Sequence, residues 1–450
     1  MDLKQIQELM LNLSGRIYLV GGVLRDYLLD KEIRDIDLVV KGSSKKAAEE
    51  FAYKVEGSFV VLDEQRAMYR VVNDGLIYDF SDLSGAIIQD DLSCRDFTIN
   101  ALALKLDKIA APKDNLIDPY GGLRDLKDGL LRVVTKRSFI NDPLRVLRML
   151  RFKAQLQFDI VEDTKSLAQK AAHKVVEVAN ERIKEELVKI CSHSGAADNL
   201  NFLAELGVIS DLIPQSEKLQ EIGECKYHQE DVWLHSLTAI KEVEELLTTE
   251  YWSDMINEAK IPLLKLAALV HDYGKLFTER ESEGEVHFYG HQKVGKKRLE
   301  PILKDLSFSN QELDYILKLV RYHMRPFNLY QAENLTFKGK YRFFKDAEGF
   351  LEDICLLSAA DKLSTAKLND HSRNIQGFLD FLEELIAAKE EFVERGREKL
   401  ISGDDLIDEF GLEEGPKIGD ILAEVERLQA AGRINSCQEA LDYVKKNLIK

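Results

Sequence analysis

The chain has 450 residues, of which 45% are hydrophobic and 31% charged. At about 100–200 residues per domain that is room for two to four packed domains of an ordinary soluble protein. The start, MDLKQIQELMLNLSG, lacks a basic segment followed by an apolar run, and the most apolar stretch, IPLLKLAALV, carries Lys265. A bilayer span needs about 20 apolar residues, so neither a leader nor a membrane partner is expected. Cys94, Cys191, Cys225, Cys355 and Cys437 are scattered, which excludes a close-spaced zinc motif and fits reduced thiols in a cytoplasm. The net charge of −17 is uneven: residues 1–200 hold 30 bases and 32 acids, whereas residues 131–153 hold seven bases and one acid, Asp142. The N-terminal half therefore leaves room for an RNA-binding surface, while the acidic half would have to keep much of its surface away from phosphate.

In chain order, RIYLV (16–20) reads as a strand ending at Gly21-Gly22, VLRDYLLDK as a helix, IDLVV (36–40) as a strand and SSKKAAEEFAYKV as a helix. SFVVLD, YRVVN, LIYDF and ALALKL (101–106) read as further strands of one sheet. This predicts a mixed α/β head to about residue 135. PLRVLRMLRFKAQL then has helical spacing, with Pro143 suited to its first turn. Helices joined by short turns are expected from there on, with a turn-rich break near residue 401 opening a tail of about two helices.

Three pieces of the head carry chemistry. Gly21-Gly22 followed by Arg25 lets backbone amides approach phosphate beside a fixed cation, although alone such a pair is only a turn. Asp35-Ile36-Asp37 places two carboxylates on one face of a strand, where they repel unless a cation sits between them. Two Mg²⁺ ions are the usual answer, one for the attacking oxygen and one for the triphosphate. The run from Arg95 through Asp96 to Asn100 is an expensive polar mixture that ribose and phosphate would satisfy.

Together, GGVLRDYLLDKEIRDIDLVV, DDLSCRDFTINALAL, DPYGGLRDLKDGLLRVV (118–134) and NDPLRVLRMLRF (141–152) resemble the bacterial and eukaryotic class of tRNA nucleotidyltransferases, comprising CCA-adding enzymes and related bacterial poly(A) polymerases. ERIKEEL (181–187) and the tail extend the resemblance over nearly the whole chain. It implies a polymerase-beta-like head, an all-α neck, a helical body and a small helical tail, hence an α+β protein. It implies that Asp35 and Asp37 hold catalytic Mg²⁺. Gly21, Gly22 and Arg25 would hold the triphosphate, and Arg95 and Asp96 phosphate and ribose. Asp142 and Arg145 would read the base of CTP or ATP, with Arg148 and Arg151 completing the site. The chain departs from the pattern at Cys94, usually Arg, and at Asn141, usually Glu. It also lacks the long segment between the first two motifs: YDFSDLSG (78–85) is followed almost at once by DDLSCRDF (90–97). A short segment is similar to what CC-adding members show, which leave the A to a partner enzyme. CC and CCA addition both stay open. Asp79 is a third acid near the strand, set aside because such a residue more often pairs with an arginine.

Histidines are few, yet His235, His271-Asp272, His291, His323 and Asp361 fall on predicted helices in a pattern suited to one or two divalent metals. The pattern resembles an HD phosphohydrolase domain, with His287 less well placed. In similar layouts this domain implies phosphatase or cyclic-phosphodiesterase activity, with Mn, Ni, Co or Fe. The expected domains are a head (1–135), a neck (136–200), a body (201–400) with the HD region at about 228–365, and a tail (401–450). The expected function is addition of C, or C and A, to tRNA from CTP and ATP. Two alternatives remain: a poly(A) polymerase, disfavoured because VVLDEQRAMYRVV lacks the arginine-rich segment usual there, and an HD phosphohydrolase whose head only binds nucleotide or RNA. A non-catalytic RNA-binding protein is disfavoured because both metal sites look complete.

Overall fold

A computed structural model describes residues 3–10, 12–223, 231–282, 285–332, 335–369, 375–396 and 399–449. The chain forms two compact units, residues 1–193 with 205–211, and residues 194–204 with 212–450.

The first unit is built on a six-stranded sheet: β1 (Arg16–Val20), β2 (Asp35–Lys41), β3 (Ser58–Asp63), β4 (Met68–Asn73), β5 (Leu76–Asp82) and β6 (Ala103–Lys105), in the order β3-β4-β5-β2-β1-β6. β2 and β5 are parallel, and the antiparallel pairs of β1 with β2 and of β4 with β5 flank them. The helix Ser44–Val55 is started by Ser43, whose side chain accepts the Lys46 amide. It buries Phe51 against the sheet, with its ring 4.7 Å from Tyr78 and 5.7 Å from Phe80. The predicted strand over 101–106 shortens to Ala103–Lys105 because Thr98–Asn100 coils into a 3₁₀ turn just before it.

The helix predicted from Pro143 begins at Arg145 and runs to Leu156. Asp142 is extended, and its carboxylate accepts the Leu144 amide, so Pro143 lies in a turn ahead of the helix. It packs beside the helix Asn180–Cys191. The region after residue 135 is not wholly helical: β7 (Leu130–Leu131) pairs with β8 (Asp159–Ile160), and β9 (Arg280–Ser282) with β10 (Glu285–His287).

The second unit is helical around Val232–Leu246, Ile261–Val270, Asn310–Tyr322 and Leu351–Asn369. Residues 401–449 form three helices, Gly403–Phe410, Pro416–Ala430 and Cys437–Asn447, rather than about two. The added one is the short segment after Ser402. A capping box of Ser402 with Asp405 starts it, and Gly411 in a left-handed turn ends it. Leu406, Ile421, Val425 and Val444 are among the residues of a core there.

Cys94, Cys191, Cys355 and Cys437 are free thiols; Cys225 lies outside the described residues. Among the described residues no helix is long and apolar enough to cross a membrane.

Candidate functional site

β2 opens with Asp35 and Asp37, which share a face because strand residues alternate. The parallel register of β5 sets Asp79 beside Asp37. Arg70 of β4 donates to both Asp79 oxygens, at 2.8 and 2.9 Å. Burial is the largest influence on the Asp37 carboxyl and holds its pKa above the usual value; Arg95 pulls it down, and Asp79 and Asp35 push it up again. Three carboxylates crowded on neighbouring strands suit divalent cations, which relieve that repulsion. Gly21 is needed where it stands. Its φ is +73°, and a Cβ there would lie 2.7 Å from Arg95 Nη1 and 3.0 Å from Asp37 Oδ2.

Behind the carboxylates, arginines gather round Phe152. Arg25, Arg148 and Arg151 lie 5.2, 5.5 and 4.4 Å from its ring centroid, a favourable arrangement for cations on an aromatic ring. Arg25 donates to Asn100 Oδ1 at 2.8 Å and pairs with Asp26. Asp96 accepts from the Phe97 amide, from Asn100 Nδ2 and, at 2.9 and 2.5 Å, from Arg148 Nε and Nη2. Burial alone would raise the Asp96 pKa, but Arg148 and these hydrogen bonds outweigh it and hold the carboxyl well below its usual value. Arg151 donates to buried Glu186 at 3.0 Å.

Arg145 donates to the carbonyls of Cys94, at 2.6 Å, and Arg95, at 3.1 Å. This contact draws only on the main chain, so the cysteine at position 94 preserves it. Asp142 accepts from Arg182 at 3.2 Å. Asp35, Asp37, Gly21, Gly22, Arg25, Arg95, Asp96, Asp142, Arg145, Arg148 and Arg151 all line one cavity of about 670 Å³. Sequence reading missed Arg70, Phe152 and Arg182 in the same lining, and set Asp79 aside; Asn100, the end of the polar run singled out in the sequence, is there too. Asp79 both pairs with an arginine, as expected, and stands beside Asp37. The signal for it was its place on the strand after the arginine-bearing YRVVN; the pairing register was not readable.

In the second unit, His235, His271, Asp272, His291, His323 and Asp361 come together. His235 Nε2 lies 3.1 Å from Asp361 Oδ1, His271 Nε2 3.3 Å from Asp272 Oδ2, and His291 Nε2 3.1 Å from Asp272 Oδ1. The other ring nitrogens face outward. Nδ1 of His271, His291 and His323 meets the carbonyls of Ala268, Phe288 and Val320 at 2.8–2.9 Å. Nδ1 of His235 meets Ser364 Oγ, whose own hydrogen goes to the Asp361 carbonyl. Each Nδ1 is thus the donor, which turns the four Nε2 atoms toward the two carboxylates, the orientation that outer partners impose on metal-binding imidazoles. His291 and His323 Nε2 stand 3.3 Å apart, and burial with its charged neighbours pushes the His323 pKa down to about 3. The donor set fits a divalent metal. His287 is not among the six; it stacks on Tyr289.

The fold and the carboxylate-lined cavity define a nucleotidyltransferase. Residues 17–132 match the family described as "Poly A polymerase head domain", residues 157–219 "Probable RNA and SrmB- binding site of polymerase A", and residues 234–366 "HD domain". The chain is 32% identical to a CC-adding tRNA nucleotidyltransferase of Thermus thermophilus, over 94% of this chain and 92% of that one. It is 29% identical to an A-adding tRNA nucleotidyltransferase of Deinococcus radiodurans, over 95% and 94%. In fold it is similar to the CCA-adding enzyme of Thermotoga maritima solved with tRNA: TM-score 0.64, 21% identity, 99% of this chain and 95% of that one. The chain belongs to the tRNA nucleotidyltransferase family.

Proposed function

We propose that the protein adds cytidines to the 3′ end of tRNA and stops after two. The observation that carries the reaction is the single cavity joining Asp35, Asp37 and Asp79 to Asp142, Arg145 and Arg182. Mg²⁺ held by Asp35 and Asp37, with Asp79 beside them, would neutralise the triphosphate and favour the ionised 3′ hydroxyl. Arg95 and Arg25 bind the phosphates, Asp142 and Arg145 present hydrogen-bonding groups to the base, and the arginines on Phe152 keep these groups in place. The 3′ oxygen of the RNA attacks the α-phosphorus, the bond to the bridging oxygen breaks and pyrophosphate leaves. Positioning and charge neutralisation are the protein's share.

Stopping at CC rests on the link between the first two motifs. Between Asp82 and the helix Ile88–Ser93 the chain is a tight turn, with Asp90 accepting the amides of Ala86 and Ile87 and Asp91 that of Ser84. It holds no long segment of the kind that full CCA-adding members carry, and the Thermus relative is a CC-adding enzyme. A separate A-adding enzyme is then the partner. Extension of a tRNA ending before CCA, with CTP, ATP or both, tests this. Two added cytidines and no more is the expected result; a third nucleotide with ATP means full CCA addition, and a ladder with ATP alone means a poly(A) polymerase.

A second reading belongs to the HD cluster: metal-dependent hydrolysis of phosphate esters, with Mn, Ni, Co or Fe at the six ligands. The four inward Nε2 atoms gathered with two carboxylates favour it. Water adds to phosphorus and the P–O ester bond breaks. Ring opening of 2′,3′-cyclic nucleotides to monophosphates, or phosphate release from 3′-phosphate nucleotides, lost in His271→Ala while CC addition stays within about twofold, is the expected result. Neither product with any of these metals refutes it.

A further inference from the structure

The sheet of the first unit has one covered face and one open face on its β3–β4 side. Val60 pairs with Arg70, Arg70 with Asp79, and Asp79 with Asp37. Side chains opposite one another across strands point the same way, so these four share a face. Tyr69, Val71, Tyr78 and Phe80 alternate with them and are buried on the other side, where Phe51 packs on Tyr78 and Phe80. Met68 and Val72 lie two residues either side of Arg70 and turn to the open face. Leu62, two beyond Val60, follows after a bulge between Val61 and Asp63. Val60, Leu62, Met68 and Val72 are 36–43% exposed. β3 is also an edge of the sheet, and SFVVLD carries one charge, Asp63, where edge strands are commonly guarded by charged residues. A bare apolar face on a bare edge invites a partner.

The place to which the face leads identifies that partner. Leu62 and Met68 line a cavity of about 180 Å³ together with Asp37, Asp79, Ser81 and Arg95. Asp37, Asp79 and Arg95 also line the larger nucleotide cavity. Two cavities therefore meet at the carboxylates, one rich in arginine and one walled by apolar side chains. Transfer to an RNA end brings two molecules to Asp37, and the attacking oxygen approaches roughly in line with the departing pyrophosphate. With the triphosphate among the arginines, the apolar cavity is left for the acceptor. It is too small for a whole nucleotide, so part of the acceptor lies on the open face. Leucine and methionine offer no directional hydrogen bond, so they hold a base without reading its edges, and methionine adapts to differing shapes. That suits an acceptor whose last base is the tRNA's own at the first addition and cytosine at the second. A second copy of this chain would cover the edge but gives no reason for the apolar wall to end at the catalytic carboxylates.

We propose that the open face of β3 and β4 holds the 3′-terminal nucleotide of the RNA, its base and ribose on Leu62 and Met68 and its 3′ hydroxyl toward Asp37. The assignment rests on the nucleotide-transfer reading above.

Two measurements on the full-length protein with Mg²⁺ test it. The first is steady-state addition of CTP to tRNA transcripts lacking CCA and ending in A, C, G or U. Leu62→Ala combined with Met68→Ala lowers kcat/KM for tRNA about 10- to 100-fold, the scale of two lost apolar contacts, and leaves KM for CTP within about twofold. The loss is the same for all four ends. Both side chains are partly exposed, so their removal does not threaten folding. Unchanged tRNA kinetics, an equal rise in KM for CTP, or a loss confined to one terminal base overturns the proposal. So does a dimer in sedimentation that the double variant dissolves while tRNA kinetics stay the same, which gives the face to a second copy. The second measurement is photocrosslinking of a transcript ending in 4-thiouridine, mapped by mass spectrometry. An adduct within residues 58–73 is expected; an adduct only elsewhere, or none, overturns the proposal. No addition by the unaltered protein overturns the transfer reading, and the crosslink then decides the docking face by itself.

Discussion

Asp37 and Asp79 stand side by side across the parallel β2–β5 pair. Burial, and after it repulsion from Asp79 and Asp35, raises the Asp37 pKa against the pull of Arg95, while Arg70 holds both Asp79 oxygens. Asp37→Asn should lower nucleotide addition by about 100- to 1,000-fold or more, the scale of losing one charge-stabilising group. Asp79→Asn should act through the cation instead. The Mg²⁺ concentration for half-maximal rate rises about tenfold, one charge's worth at a partly exposed site, with a smaller change in maximal rate. A magnesium titration of both variants decides; an unchanged half-saturation point for Asp79→Asn removes that residue from the site.

Gly21→Ala combines two penalties. A backbone at φ +73° and ψ −132°, open essentially only to glycine, costs an alanine about 1–3 kcal/mol, and its methyl meets Arg95 Nη1 at 2.7 Å. Displacing that guanidinium by about 1 Å should lower addition roughly 100-fold, with a small loss in thermal stability. Single-turnover rates with the melting temperature separate the two effects.

Arg182 holds Asp142 at 3.2 Å, while Arg145 is tied to the carbonyls of Cys94 and Arg95. The expected result for Arg182→Ala is a KM for CTP raised about tenfold, as for a lost hydrogen bond to a charged group, with weaker preference for CTP over ATP. A fall in kcat with KM unchanged would place Arg182 elsewhere in the reaction.

Glu186 is buried and accepts Arg151 at 3.0 Å. Glu186→Ala leaves a buried guanidinium without its anion, which costs about 3–5 kcal/mol. Denaturant unfolding followed in the first unit measures it, and a loss under about 1 kcal/mol would mean that solvent replaces the carboxylate.

Asp96 supplies a pH signature. Its folded pKa lies below the ordinary 3.8, so the unfolded chain takes up this proton first. The stability from its ion pair is complete above about pH 4 and fades as pH falls through the folded value. Asp96→Asn lacks that ion pair, and its stability deficit relative to the unaltered protein should shrink steadily below pH 4. A deficit that stays constant down to pH 2 contradicts the assignment.

Much of the fold was legible because each element's pattern is local. RIYLV, IDLVV and LIYDF read as strands from their short apolar runs, and the arginine helix from its spacing. Boundaries were less so: Pro143 looked like a first-turn proline until the extended Asp142 moved the helix start to Arg145. The three-helix tail escaped because Gly403–Phe410 is short and set among turn residues.

By itself the sequence determined that Asp35 and Asp37 share a face, since strand residues alternate, and the chain order of the other candidate groups; the arginines after Asp142 and the six HD-type ligands were picked out by resemblance to known families, because spacing alone would have left the arginines a solvated helix face. The tertiary structure decided who partners whom. That Asp79 stands by Asp37, that Phe152 gathers three arginines, that Arg182 rather than Arg145 holds Asp142, and that Leu62 and Met68 share a cavity with Asp37 depend on strand register and helix packing. Those are set by burial summed over the whole unit, which no local pattern encodes.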